Sequence, residues 1–293
     1  MAEPLHFAAP TPLSYFASLV ADDDNFLLIE AAASIAQDEH PSVDTQAVLA
    51  EIDLLADRLQ RRVPADAAPV QRLRLLGNYF FQEMGFAGNV NDYYDPQNSF
   101  LHNVLKTRRG IPISLSLIYI ELAKHIGLRA RGVAFPGHFL VKLKMPAGDR
   151  MGEVVINPFT GQSLGRDDLE DMLQPYRRRP GAHPDFEAPL GLYLQTATPR
   201  DVLARLLRNL KEIYRSAQDW PRLLAVQQRL VVLLPASWEE RRDRGLALAE
   251  LSRLPEALAD LEAYLEHGSN AADRSAIQRR AAELWQAGRP RLH

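Results

Sequence analysis

The chain has 293 residues, enough for one large domain or two of ordinary size, and its 46% hydrophobic and 24% charged residues are the balance of a folded globular protein. The formal net charge of -3 is spread over both signs, which argues against nucleic acid as the main partner, because phosphate binding wants a concentrated basic face. There is no cysteine, so disulfides, thiolate zinc sites, redox motifs and thiol nucleophiles are all excluded.

Taken in chain order, Met1-Ala2-Glu3-Pro4 lacks the basic and apolar regions of a signal peptide. The early apolar stretch Phe26 to Ala36 is cut by Glu30 and is too short to span a bilayer, so the expectation is a cytoplasmic protein with no membrane partner. Asp44 can cap a helix whose apolar residues Val48, Ile52, Leu55, Leu59 and Val63 recur at helical steps, and Pro64 closes it. A second helix is predicted from about Ala67 to Met84, with Val70, Leu73, Leu76 and Phe80 along one side and Gly85 and Gly88 ending it. Asn89 to Tyr94 has turn composition, and Asp95-Pro96 is a helix start, since proline suits the first helical position.

The centre changes character. Ile111 to Ile126 is apolar almost all the way round, as in a helix that lies inside a domain. After Gly127 the period becomes two: Phe139, Val141 and Leu143 share one strand face, and Val154, Val155 and Ile156 precede a turn at Asn157-Pro158. One buried helix followed by antiparallel strands indicates an α+β domain. The basic triplet Arg177-Arg178-Arg179, set among Pro175, Pro180 and Pro184, reads as a solvated connecting segment.

Beyond about residue 195 the pattern is helical again, with a repeat. Asp219-Trp220-Pro221 and Arg253-Leu254-Pro255 lie 34 residues apart, and on that offset Leu224 pairs with Leu258, Ala225 with Ala259 and Val231 with Leu265. A helix-turn-helix period of this length is that of the tetratricopeptide repeat. Pro235 falls where a repeat ends and Gly245 where its first helix has a small residue; Ala272 to Trp285 then reads as a lone capping helix.

Three polar residues stand at the edges of the central elements. Ser114 opens the core helix, His138 begins the strand after Pro136-Gly137, and Asn157 ends the next strand. That is the chain order of nucleophile, histidine and orienting residue in papain-like and transglutaminase-like thiol enzymes. The plainer account is a helix-capping serine, a satisfied strand histidine and a turn asparagine.

The words Asn78-Tyr79-Phe80-Phe81, Asn91-Asp92-Tyr93-Tyr94-Asp95-Pro96, Arg109-Gly110-Ile111-Pro112-Ile113-Ser114-Leu115-Ser116, Pro136-Gly137-His138-Phe139 and Asn157-Pro158-Phe159 together resemble the SirB family. The resemblance covers almost the whole chain. It implies a transglutaminase-like α+β domain, of the papain-like cysteine-protease type, over residues 1–195, followed by an all-α tetratricopeptide segment over residues 196–293 with about two repeats and a capping helix. His138 matches the superfamily histidine, and Asn157 falls where the superfamily usually has an aspartate. The superfamily cysteine would fall near Pro112 to Ser114, where only Ser114 has a nucleophilic side chain.

Magnitudes separate serine from cysteine at such a position. A free thiol ionises near pH 8.5, and a helix N-terminus contributes at most about 2 kcal/mol, roughly one and a half pKa units. That brings a thiol to neutral pH and leaves an aliphatic hydroxyl far from it. Serine would need His138 as a general base and a dedicated oxyanion hole. The expectation is therefore a non-catalytic binding or scaffolding protein with Ser114, His138 and Asn157 as a vestigial constellation. The alternative is a serine-based hydrolase or transamidase running on the same three residues. On this reading His138→Ala should disturb the fold more than Ser114→Ala.

No metal-ligand motif, EF-hand loop, Walker sequence or dinucleotide glycine pattern occurs, so no metal or cofactor is expected. The expected partner is a protein or peptide. In the repeats the ligand-facing positions fall on Arg205, Arg208, Glu212 and Arg215, joined by Arg242, and arginines there could take an acidic peptide through bidentate bonds. The plainer account of these is a solvated charged face.

Overall fold

The computed structural model describes residues 10–147, 150–177, 188–268 and 271–287; Arg178, Arg179, Pro180 and Pro184 of the basic segment lie outside the described residues. Contacts group the chain into two bodies. The first comprises Leu27–Ala36 and Ser42–Leu206; the second takes the residues up to Phe26, Gln37–Pro41 and those from Leu207 onward. In chain order the early elements are helix α1, Pro12–Leu19, in the second body, then α2, Leu28–Ser34, α3, Thr45–Gln60, and α4, Pro69–Gly77, in the first.

Asp44 caps α3 as its position predicts, accepting from the Gln46 N–H at 2.9 Å, and Val48, Ile52, Leu55 and Leu59 are buried. The following helix departs from its expected course. It is α-helical only to Gly77 and continues as a π-helical turn, Asn78–Glu83. A π-turn takes one more residue per turn and so rotates the faces that follow it. Of the predicted side Leu76 and Phe80 are buried, joined by Tyr79, and Val70 is 45% exposed. The Phe80 ring stacks on Phe86 with centroids 4.3 Å apart.

Short strands β1, Ala87–Gly88, and β2, Arg109–Gly110, pair in parallel on either side of α5, Leu101–Thr107. Helix α6, Pro112–His125, is the apolar central helix, with Leu115, Ile118, Tyr119, Leu122 and Ala123 fully buried. Gly127 ends it at φ 74°, a left-handed conformation suited to glycine. An antiparallel sheet follows in sequence order: β3, Ala130–Val133, β4, Leu140–Ala147, β5, Arg150–Ile156, and β6, Ser163–Leu164. Because side chains alternate between sheet faces, the buried residues Ala130, Val141, Leu143 and Ile156 share one face, and α6 packs against β3 and β4. Val133, Leu140 and Val155 lie on the other, under Leu169 and Leu173 of α7, Arg166–Arg177.

A one-turn helix α8, Leu190–Tyr193, precedes α9, Pro199–Ser216, which passes from the first body into the second at Leu206 and Leu207. The second body continues with α10, Trp220–Leu233, α11, Trp238–Glu250, α12, Leu254–His267, and α13, Ala271–Ala287, each packed on its sequence neighbour. The 34-residue repeat of the sequence is the repeat of α10 and α12, both of which carry proline in their first turn. A Cβ on Gly245 would lie 3.0 Å from the Leu261 side chain, so the small residue there lets α11 approach α12. Leu248, Leu261, Tyr264, Ile277 and Leu284 form the core of this array, with Leu258 and Leu265 against it. Helix α1 packs on α10, where the fully buried Arg229 donates to Asp38 from Nε at 2.6 Å and from a terminal nitrogen at 2.8 Å.

Candidate functional site

Ser114 stands at the third position of α6 and is completely buried. Its single hydroxyl proton points to the Asn98 carbonyl at 2.6 Å, with the Ile111 carbonyl at 3.1 Å, and its oxygen accepts from the Ile111 N–H at 3.1 Å. The last contact is the back-bond of a capping box, from the third helical residue to the backbone before the helix. A Cβ on Gly110 would sit 2.7 Å from this oxygen, so the glycine before Ile111 makes room for it. The hydroxyl thus joins helix entry to the segment before it.

Asn98, 2% exposed, organises that segment. Its Nδ2 donates to the carbonyls of Asp92 at 2.7 Å and Tyr93 at 3.3 Å, while its Oδ1 accepts from Asn89 Nδ2 at 3.0 Å. Asp95 caps the following 3-10 turn, Pro96–Ser99, by accepting from Gln97 N–H at 2.9 Å. The asparagines and aspartates of this stretch therefore form the predicted turn, and the turn holds out Tyr93 and Tyr94, which are 38% and 75% exposed.

His138 lies two residues before β4, in the turn rather than in the strand. Its N–H donates to the Phe135 carbonyl at 2.9 Å, and Gly137 has φ 69°, so Pro136 and Gly137 occupy the central positions of a β-turn with the residue order of type II. Among the described residues neither Ser114 nor Asn157 hydrogen-bonds its ring. Asn157 instead forms a local turn: its Oδ1 accepts from the Phe159 N–H at 3.0 Å, and its carbonyl accepts from Gly161 at 2.8 Å. That turn sets the Phe159 ring 5.9 Å from Tyr93, close enough to Gly88 that a Cβ there would fall 2.2 Å from the ring.

Arg205 was placed by the repeat pattern on a ligand-facing helix and is found beside His138, donating to its carbonyl at 3.4 Å. Burial first, and the Arg205 cation second, hold the His138 imidazole below its ordinary pKa. Burial also raises the Tyr93 phenol, with Tyr94 adding to the shift and Arg205 opposing it. The Tyr176 hydroxyl reaches Gly137, where an added Cβ would collide with it. Tyr93, Phe159, Arg205, His138 and Tyr176 are thereby linked as neighbours. The sequence marked only His138 and Arg205 among them. An adjacent tyrosine pair in a loop of turn residues was the available signal for Tyr93, since a loop has no need of large aromatic side chains.

The remaining repeat arginines have carboxylate partners within the chain. Arg208 Nε lies 2.9 Å from Glu240, which is also met by Lys211 at 2.6 Å; Lys211 reaches Asp243 at 2.6 Å as well. Arg215 pairs with Glu212, and Arg242 pairs with Asp243 at 2.7 Å and with Asp273.

The His138 shift sets a pH dependence. A depressed folded-state pKa means the unfolded chain binds the proton more readily, so stability falls as pH drops below about 6.5 toward the folded-state value. His138→Gln should abolish that share of the acid loss. Urea unfolding of parent and variant between about pH 7.5 and 5 checks it; parallel curves for the two proteins would show that His138 contributes nothing.

An α+β body with this helix, sheet and turn order, followed by paired antiparallel helices on a 34-residue repeat, is a transglutaminase-like domain joined to tetratricopeptide repeats. The profile of the transglutaminase-like superfamily matches residues 46–208 and that of the tetratricopeptide repeat residues 210–282. The chain belongs to the SirB family of transglutaminase-like proteins, whose relatives also carry the name UPF0162. It is 37% identical to a UPF0162 protein of Xylella fastidiosa over 84% of this chain and 85% of the relative. It is 29% identical to a UPF0162 protein of Pseudomonas aeruginosa over 88% and 90%, and 28% identical to Protein SirB1 of Salmonella typhimurium over 76% and 79%. No solved structure matches the chain. Among the described residues no helix is long and apolar enough to cross a membrane.

Proposed function

We propose that the protein is a non-catalytic binding or scaffolding protein whose transglutaminase-like cleft takes a peptide or protein segment. The observation that carries this reading is the state of Ser114: the hydroxyl at the nucleophile position of α6 is buried, and its proton is held by a backbone carbonyl at 2.6 Å. Acyl transfer needs that proton on a base and an oxygen lone pair aimed at substrate. Neither His138 nor Asn157 supplies the arrangement, since His138 is not bonded to the hydroxyl and Asn157 is spent on its own turn. What the residues around His138 offer is recognition. Tyr93, Tyr94 and Tyr176 present amphipathic rings, and Arg205 adds a cation, the side-chain types that dominate binding surfaces.

A fluorophosphonate acyl probe and a panel of ester and glutamine-amide substrates test this on the full chain. The expected result is no labelling and no turnover. Labelling at Ser114 that disappears in Ser114→Ala would replace the reading with a serine enzyme. The binding half is tested by cross-linking the full chain in extracts, where Tyr94→Ala and Arg205→Ala should each lose at least one partner that the parent captures.

A further inference from the structure

The face of the four-stranded sheet covered at one end by α7 has a different character at the other. On that face Val133, Leu140 and Val155 are sealed under Leu169 and Leu173. One step along the strands the same face carries Arg131 directly opposite Lys142. A further step of the same register brings Arg129, just before β3, opposite Lys144. Directly opposed residues of an antiparallel pair have their Cβ atoms about 5 Å apart, and like charges there are destabilising. Two consecutive like-charge pairs are thus built side by side into one surface, against the pairing rule that stabilises sheets.

These four cations line a single cavity of about 600 Å³. Among the described residues Glu153 is the one carboxylate lining it, 3.1 Å from Lys142 Nζ, so that lining carries a formal excess of three positive charges. Leu128, Pro146 and Met151 add apolar wall, with Met151 64% exposed. The size falls within the range of small-molecule sites, roughly 300–1,000 Å³, and the lining combines apolar surface with convergent charge as such sites do.

We propose that this cavity binds a small phosphate ester carrying a diphosphate or similarly compact polyanion. The anion lies among Arg131, Lys142 and Lys144, and the organic part lies against Leu128 and Met151. Cross-strand neighbours concentrate their charge within a few ångströms, which matches adjacent phosphates better than carboxylates spread along a carbon skeleton. Arginine supplies the planar fork that meets phosphate oxygens in pairs, and lysine the adjustable point charge. Binding would relieve the repulsion among these cations. The site lies on the sheet's α7 side and does not depend on what the residues around His138 do.

Isothermal titration of the full chain at low salt with pyrophosphate, ADP and citrate tests the assignment. Saturable one-to-one binding is expected for pyrophosphate and ADP, with ADP at least as tight and citrate about tenfold weaker or more. Arg131→Gln and Lys144→Gln should each weaken pyrophosphate by about tenfold or more, the loss typical of one charge-assisted hydrogen bond. Lys124→Gln, an exposed cation of α6 outside the cavity, should leave it unchanged. Thermal unfolding without ligand guards against misfolded variants: Lys144→Gln should melt close to the parent, because it removes a repulsive neighbour of Arg129 and an attractive one of Glu153 together. Absence of saturable parent binding at millimolar concentrations, citrate matching pyrophosphate, failure of ADP where pyrophosphate binds, or an equal loss in Lys124→Gln would each overturn the proposal.

Discussion

Asp38→Ala should destabilise the protein by about 3–5 kcal/mol, the cost of breaking a buried ion pair by removing one member. Arg229 is fully buried, its guanidinium lies over the Phe16 ring at 4.8 Å, and two of its nitrogens donate to the Asp38 carboxylate at 2.6 and 2.8 Å. Removing the carboxylate takes the charged partner from a fully buried cation. Desolvation makes the intact pair a poor net stabiliser and the broken pair a large loss, so the second mutation is the informative one. Arg229→Met fills similar volume without charge, and the double variant should recover most of the stability lost in the single one. Urea unfolding followed by circular dichroism reads both. If Asp38→Ala costs less than about 1 kcal/mol, the buried pair is not what holds α1 and the Asp38 segment to α10.

Ser114→Ala should cost about 2–3 kcal/mol in the same assay, with no acyl-transfer activity to lose. The hydroxyl serves two backbone groups, the Ile111 N–H and the Asn98 carbonyl, in a fully buried place. Each buried group left without its partner costs about 1–3 kcal/mol, against about 1 for an ordinary exposed cap. His138→Ala should be milder, because its ring makes no hydrogen bond to Ser114 or Asn157 and its tie to the turn is through backbone. This reverses the order expected from sequence, which puts the larger loss on His138→Ala. A Ser114→Ala protein as stable as the parent, or a His138→Ala protein that fails first, would show that the cap is not the role of the serine.

The reversal shows what kind of information each level holds. Helix α3, the buried α6, the period-two strands and the 34-residue repeat were legible because each is a local pattern: a cap, an apolar stripe or an offset that one element imposes on its own residues. The chain order of Ser114, His138 and Asn157 was equally legible, and so was the family resemblance that goes with it. The π-turn at Asn78–Glu83 was not, because one wider turn leaves no distinct sequence periodicity, and neither was the exposure of Val70 at the start of α4.

Hydrogen-bond direction and charge pairing between distant residues were beyond any local pattern. Whether a serine at the third position of a helix faces a cleft or its own backbone depends on where Asn98 arrives, 16 positions earlier in the chain. Whether a repeat arginine is free for a ligand depends on Glu240, Asp243 and Asp273 reaching it from later helices. Arg229 looks in sequence like one more surface charge of an amphipathic helix, and only the fold brings Asp38 and Phe16 to it across 191 positions for the carboxylate. By itself the sequence determined the elements, their order and the absence of any thiol, since those follow from residue type and spacing. The tertiary structure decided which polar groups are consumed and which remain to act, because a hydrogen bond or ion pair is specified by two partners and sequence spacing specifies only one.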